Sequence, residues 1–235
     1  VRVKVKLDTA MSEINRESIR AMRLSYGEAG LDEGEIANDP IAHFIKWLGE
    51  AAENIMVVEA NAMVLSTISG NQPVSRTVLL KDVSTAGFTF FTNYLSRKAE
   101  SINKNPKVSL LFPWYPMERQ VIILGSAEKI SSEESESYFE SRPWSSQIGA
   151  IASAQSSKLE SRAELEEKFA SAAAKFPEGT KVARPDYWGG YIVRPISIEF
   201  WQGRYSRLHD RLRYELEPTS AAPHDSNWQV TRLNP

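Results

Sequence analysis

The sequence predicts a mainly β protein with added helices, an α+β chain built around an antiparallel barrel. Three observations carry this. Strand-like runs follow one another closely at 62–68, 74–81, 88–92, 108–112 and 120–130. Helical patterns are inserted irregularly, without the strand–helix alternation of a doubly wound parallel sheet. The last third returns to strand patterns at 191–193, 196–201, 208–214 and 228–233.

Residues 1–38 read as a partly mobile N-terminal arm lying over the body, and 39–235 as the main domain. Val1, Val3 and Val5 alternate with cations, and glycines stand at 27, 30 and 34. Asp39-Pro40 starts a helix, with Asp39 as N-cap and proline at the first helical position. Ile41, Phe44, Ile45 and Leu48 then fall at helical spacing. Ser69 to Gln72 is a turn between two strands. Ser96 caps a short helix that ends near Asn105-Pro106. Ser131 and Glu134, then Ser161 and Glu164, have capping-box spacing. Pro143 breaks the first of these helices and opens another through Ala152.

Composition narrows the chemistry. The chain has 235 residues, enough for a core without covalent staples. A net charge of −2 gives a nucleic-acid role no support, so any anion site must be local. The absence of cysteine excludes disulfides, thiolate catalysis and cysteine-ligated metals. His43, His209 and His224 lack metal-ligand spacing, and no metal is expected. No apolar run reaches membrane-spanning length. The expected location is cytoplasmic, or an organelle interior if a targeting segment precedes Val1.

Four constellations bear on function. Arg207, His209 and Arg211 share one face if 207–211 is extended. That face is either a ligand surface beside Phe200 and Trp201 or a solvated edge strand. Arg76 and Lys81 bracket an apolar run at odd spacing, which puts them on opposite faces of a regular strand; on composition alone they read as ordinary strand-end charges. Arg97 and Lys98 stand at a helix N-terminus, where cations oppose the local dipole unless an anion arrives; the alternative is a solvated helix start. Tyr138 and Arg142 lie one helical turn apart, and with Ser146 they suit a phosphate; the alternative is a helix C-terminus favoured by the arginine charge. Together these supply two separable anion sites and one aromatic-lined planar surface. Two phosphorylated ligands side by side, a cofactor and a substrate, is the economical reading.

The strings RTVLLK (76–81), FFTNYLSRK (90–98), RQV (119–121), YFESRPWSSQIGA (138–150), QSS (155–157), YWGGY (187–191) and EFWQGRYSRLHDR (199–211) resemble those of pyridoxine (pyridoxamine) 5′-phosphate oxidases, in the family's order. The resemblance implies an FMN-binding split β-barrel and a homodimer with FMN at the subunit interface. It assigns the FMN phosphate to Arg76, Arg97, Lys98 and Ser156. It assigns the rest of the flavin to Thr77, Val78, Leu79, Phe91, Thr92, Gln120, Gln155, Trp201 and Arg211. The substrate phosphate would meet Lys81, Tyr138, Arg142 and Ser146. Arg207 and His209 would act on the pyridine ring, with Leu208 beside them and Arg23 and Tyr26 of the arm folding over. The implied reaction oxidises pyridoxine or pyridoxamine 5′-phosphate to pyridoxal 5′-phosphate with oxygen, releasing hydrogen peroxide. The chain departs from some members at Ile122, Leu124, Trp144, Ala154 and 113–115, none of them a matched ligand contact. Two rivals are a nicotinamide-dependent split-barrel flavoprotein and a non-catalytic flavin or pyridoxal phosphate carrier.

Overall fold

The computed structural model describes residues 19–20, 25–34, 36–217 and 228–235. Helix α1 (Pro40–Glu53) begins as expected: the Asp39 side chain accepts a 2.9 Å hydrogen bond from the Ile41 N–H. Its apolar stripe buries Phe44 and Trp47 against Phe88, Phe112 and Phe200. Strands β1 (Ala62–Ser69) and β2 (Gln72–Leu79) form a hairpin across Gly70-Asn71. Gly70 adopts φ 61°, which a side chain would disfavour.

After β2 the chain changes partners. Leu80 N–H donates to Asn61 O and Lys81 N–H to Thr89 O, leading into β3 (Asp82–Ser84) and β4 (Gly87–Asn93). Lys81 therefore lies beyond the end of β2 rather than on the opposite face of a strand shared with Arg76. Then come α2 (Arg97–Lys104), β5 (Lys107–Trp114) and β6 (Arg119–Lys129). Ser96 occupies the N-cap of α2 but makes no side-chain cap bond. Helices α3 (Ser132–Ser141), α4 (Trp144–Ala152) and α5 (Arg162–Lys175) follow. Ser131 and Glu134 make a complete capping box. At α5 only half of one forms: Ser161 accepts from Glu164 N–H, while the Glu164 carboxylate takes the Glu160 N–H.

The last strands are β7 (Trp188–Gln202), β8 (Asp210–Leu216) and β9 (Trp228–Arg232). The two strands expected at 191–193 and 196–201 are one. Pro195 has no N–H to donate, and the ladder absorbs it with a bulge: Leu124 opposes Ser197, whereas Gly125 opposes Pro195. A Cβ on Gly125 would lie 2.2 Å from Arg194 O, so the bulge requires glycine there.

All pairings are antiparallel, in the order β2-β1-β5-β6-β7-β4-β3, with β8 and β9 branching from β7. One edge of β7 pairs with β4 through its first half and with β8 through its second. The sheet is thereby split near Pro195 and does not close. The main core fills it, and a satellite core of Phe139, Ile148, Ala172 and Trp188 packs α3 to α5 against the β7 start. Among the described residues no helix is long and apolar enough to cross a membrane.

Of the expected arm, residues 25–34 touch the main body. Gly27 N–H donates to Glu118 and Leu31 N–H to Asp210. Arg23 lies outside the described residues.

Candidate active site

A cavity of about 630 Å³ opens between β2, β4 and the α3–α4 corner. Thr77, Val78 and Leu79 supply one wall from the end of β2. Phe91 and Thr92 come from β4, and Lys98 from the first turn of α2. Lys81, Tyr138, Arg142 and Ser146 converge on the same space, with Gln155 at its rim. The residues expected at the substrate phosphate are thus brought together, and most of the expected flavin-contact residues border them.

Lys98 brings a cation cluster to the cavity wall, although Arg76, Arg97 and Ser156 do not themselves line the cavity. Lys98 Nζ donates to Gln155 Oε1 at 2.8 Å and to Thr92 Oγ1 at 3.1 Å. Arg76 donates through Nη1 to Leu65 O and Thr67 Oγ1. Burial pushes Lys98 down to about 8, helped by the neighbouring Arg76 charge. Burial and Arg97 push Arg76 down as well. Among the described residues, none of these three cations pairs with a carboxylate. Mutual repulsion without a counter-ion is the electrostatic mark of an anion site. Beside it Ser156 sits at φ 73°, a conformation non-glycine residues rarely adopt.

Arg142, the C-cap of α3, also lines the cavity. Its guanidinium lies over the Trp188 ring at 4.7 Å, and burial lowers its pKa. Among the described residues its buried Nη1 has no hydrogen-bond partner. Phe91 and Tyr138 stack at 3.8 Å, with Phe91 also parallel to Trp188 at 5.4 Å. Sequence reasoning missed Trp188, although it stands inside the YWGGY string.

The remaining expected residues gather elsewhere on the chain, and none of them lines this cavity. Gln120 pairs with Trp201 across β6 and β7, and Trp201 with Arg211 across β7 and β8. The three therefore form one cross-strand row on one face. Arg211 is held by Glu199, with Nε at 2.9 Å and Nη2 at 2.8 Å from Oε1, and donates Nη1 to Asn234 O. Glu199 is buried and also binds Arg213, so it fixes the row from below. Sequence reasoning missed it too; the signal was a carboxylate inside the otherwise apolar run from Ile198 to Trp201.

Residues 207–209 are not extended, which corrects the expected strand at 208–214. Tyr205–Arg207 is a 3-10 turn in which Ser206 and Arg207 have φ 56° and 62°, and β8 starts only at Asp210. Arg207, His209 and Arg211 therefore do not share a strand face. Arg207 and Leu208 point into solvent. The His209 ring lies 4.8 Å from Trp201 and 5.4 Å from Tyr26. Its Nδ1 accepts the Arg204 N–H at 3.1 Å, which leaves the neutral ring's proton on Nε2 as an available donor.

Comparison with known proteins fits this layout. Residues 49–176 match the pyridoxamine 5′-phosphate oxidase family model, and 188–235 match the pyridoxine 5′-phosphate oxidase C-terminal dimerisation region. The chain is 49% identical over 219 residues to the pyridoxine/pyridoxamine 5′-phosphate oxidase of Streptomyces avermitilis, covering 92% of this chain and 95% of that one. The protein of the same name from Nocardioides sp. is 49% identical over 218 residues, covering 92% and 98%. The chain belongs to the pyridoxine/pyridoxamine 5′-phosphate oxidase family.

This oxidase is an FMN-dependent oxidoreductase. Among solved structures, PhzG from Burkholderia lata 383, in complex with tetrahydrophenazine-1-carboxylic acid, has a TM-score of 0.80 at 27% identity, covering 89% of this chain and all of that one. An FMN-binding protein from Nostoc punctiforme, at 15% identity and TM-score 0.66, covering 85% and 100%, shares the fold. The residues present in the oxidase fit a flavin mononucleotide. The unpaired Arg76–Arg97–Lys98 cluster suits its terminal phosphate, and the adjoining β2 and β4 walls suit a flat ring system.

Proposed function

We propose that the enzyme oxidises pyridoxine 5′-phosphate or pyridoxamine 5′-phosphate to pyridoxal 5′-phosphate, with oxygen as acceptor and hydrogen peroxide as product, in vitamin B6 salvage. The observation that carries this is Arg142: a buried guanidinium whose Nη1 has no partner among the described residues, in a cavity also lined by Lys81, Tyr138, Ser146 and Lys98. One cavity lined by three cations suits two phosphates, one from FMN and one from the substrate.

When bound, FMN supplies the electron-accepting chemistry. Arg76, Arg97, Lys98 and Ser156 hold its phosphate, and Thr77 to Leu79, Phe91, Thr92 and Gln155 border its ring. Lys81, Tyr138, Arg142 and Ser146 hold the substrate phosphate. The alcohol substrate loses a hydride from its 4′ carbon and a proton from its 4′ oxygen, and oxygen takes up both as peroxide. The amine substrate additionally takes up water and releases ammonia. Gln120, Trp201, Arg207, His209 and Arg211 come from the partner subunit in this reading, because within one chain they stand apart from the cavity. The match of 188–235 to a dimerisation region supports a homodimer with FMN between the subunits. Arg207 orients the pyridine ring and stabilises charge, and His209 offers its Nε2 proton. Holding the reacting carbon close is the main contribution of the protein.

The test is to load the purified chain with FMN, add pyridoxine 5′-phosphate under oxygen, and follow pyridoxal 5′-phosphate and peroxide together. Equimolar formation is expected. Nicotinamide oxidation without pyridoxal 5′-phosphate would favour a flavin reductase, and no turnover with tight ligand binding would favour a carrier.

A further inference from the structure

The turn between β7 and β8 is irregular, yet it carries Arg207 and His209. Among the described residues its backbone makes few bonds: Gly203 N–H to Glu118 O, Gln202 Nε2 to Gly203 O, Arg204 N–H to His209 Nδ1, and Leu208 N–H to Tyr205 O. Two consecutive residues, Ser206 and Arg207, hold left-handed backbone angles. Such a conformation persists only where the surroundings impose it.

The surroundings converge on Asp210, the first residue after the turn. Its buried carboxylate accepts Leu31 N–H at 3.0 Å, Arg204 Nη1 at 3.3 Å and Arg232 Nη1 at 2.7 Å. Burial raises the affinity of this carboxyl for a proton, but those three donors outweigh it and hold the group ionised. Arg232 reaches further. Its Nε and Nη2 bind both oxygens of Glu33 at 2.6 Å, and Nη2 also donates to Leu31 O. One guanidinium at the end of β9 thus ties residues 31–33 to the start of β8. Five residues before Leu31, the Tyr26 ring lies against His209 and Trp201. Neither Asp210 nor Arg232 lines the substrate cavity.

We propose that Arg232 is a positioning residue for the reaction: through Asp210 and Glu33 it clamps the turn bearing Arg207 and His209 to the segment bearing Tyr26. This rests on the assignment of Arg207 and His209 to the substrate. The clamp sets where the two side chains stand, and it makes the 26–33 segment part of the catalytic geometry. A fork of two parallel bonds to Glu33 plus a third to Asp210 is a task that guanidinium does and ammonium does only in part.

The test uses the full-length, FMN-loaded chain, with kcat, KM and flavin content measured on pyridoxine 5′-phosphate, and amide exchange measured for peptides covering 203–209. Arg232→Ala is expected to lower kcat/KM by about tenfold to a hundredfold, the size that a small misplacement of a reacting group costs. Flavin content stays at the wild-type level, and exchange at 203–209 speeds up while the β6–β7 ladder is unchanged. Arg232→Lys restores part of the loss. Combined with His209→Ala, Arg232→Ala adds little, since both act through one element. Should Arg232→Ala fail to fold, Glu33→Gln decides on the same criteria, with a smaller loss. Faster exchange with unaltered kcat/KM, or losses that simply add to those of His209→Ala, would overturn the clamp. If His209→Ala and Arg207→Ala are both silent, the assignment of the site fails instead, and the clamp with it.

Discussion

The Arg142 guanidinium lies 4.7 Å from the centre of the Trp188 ring, with one terminal nitrogen buried and without a hydrogen-bond partner among the described residues. The indole face compensates part of the charge, and burial still lowers the guanidinium pKa. A buried donor without an acceptor is costly, and a phosphate in the cavity would satisfy it. Arg142→Ala should therefore raise KM for pyridoxine 5′-phosphate by about tenfold or more, since one charge-assisted hydrogen bond is worth roughly 1.5–3 kcal/mol. Flavin content should not change. Steady-state kinetics with a flavin absorbance reading checks both; lost flavin with unchanged KM would mean that the two phosphate ends are reversed.

Arg211 gives the complementary case. Arg211→Ala is expected to weaken FMN binding by about tenfold or more, again the loss of a charge-assisted bond. It should also lower the melting temperature, because the buried Glu199 would keep only Arg213 as partner. An FMN titration and a thermal melt measure the two effects. An unchanged titration would remove Arg211 from the flavin site.

Lys98 predicts a pH dependence. Burial holds it down to about 8 in the folded chain, against about 10.4 for a free lysine. Between those values the unfolded chain binds the proton more tightly, so the flavin-free protein gains stability as pH rises through that window. An arriving phosphate reverses the preference and draws the proton back. FMN affinity should therefore fall as pH rises above 8, and calorimetry in buffers of different ionisation heat should detect proton uptake. Lys98→Arg should flatten the profile, and a wild-type affinity that is constant from pH 7 to about 9.5 would refute the assignment.

His43 predicts acid sensitivity of the fold. The ring is buried edge-on to Phe200 at 4.6 Å, and neither nitrogen has a hydrogen-bond partner among the described residues. Burial first, then Lys46 and Arg119, push it down to about 4. The unfolded chain takes up a proton near 6.5, so stability present above that pH is lost as pH falls toward 4 and levels off below it. His43→Leu should reduce the change in melting temperature across that interval. An equal slope in both proteins would show that other groups govern the acid limb.

Much of this was legible in the residues because it depends on local rules. Asp39-Pro40 and Ser131 with Glu134 start helices through backbone chemistry within a few residues, and they do so in the fold. The residues proposed for the two phosphates could be named through the family resemblance, because spacing alone left each cation cluster an ordinary solvated reading. Local rules failed where a residue's partner is distant in the chain. Lys81 leaves β2 because Leu80 and Lys81 bond to Asn61 and Thr89. Arg207 and His209 leave the expected strand because Ser206 and Arg207 turn through left-handed backbone angles and β8 starts only at Asp210.

The mainly β class, the helix starts and the lack of thiol chemistry were determined by the sequence alone, since each follows from neighbouring residues or from composition. Only the tertiary structure decided that Pro195 divides the partner edge of β7, that Glu199 fixes Arg211, and that one chain holds the phosphate cavity apart from the Trp201–His209 group. Those outcomes depend on long-range pairing, where burial and register across distant strands outweigh what any short stretch prefers.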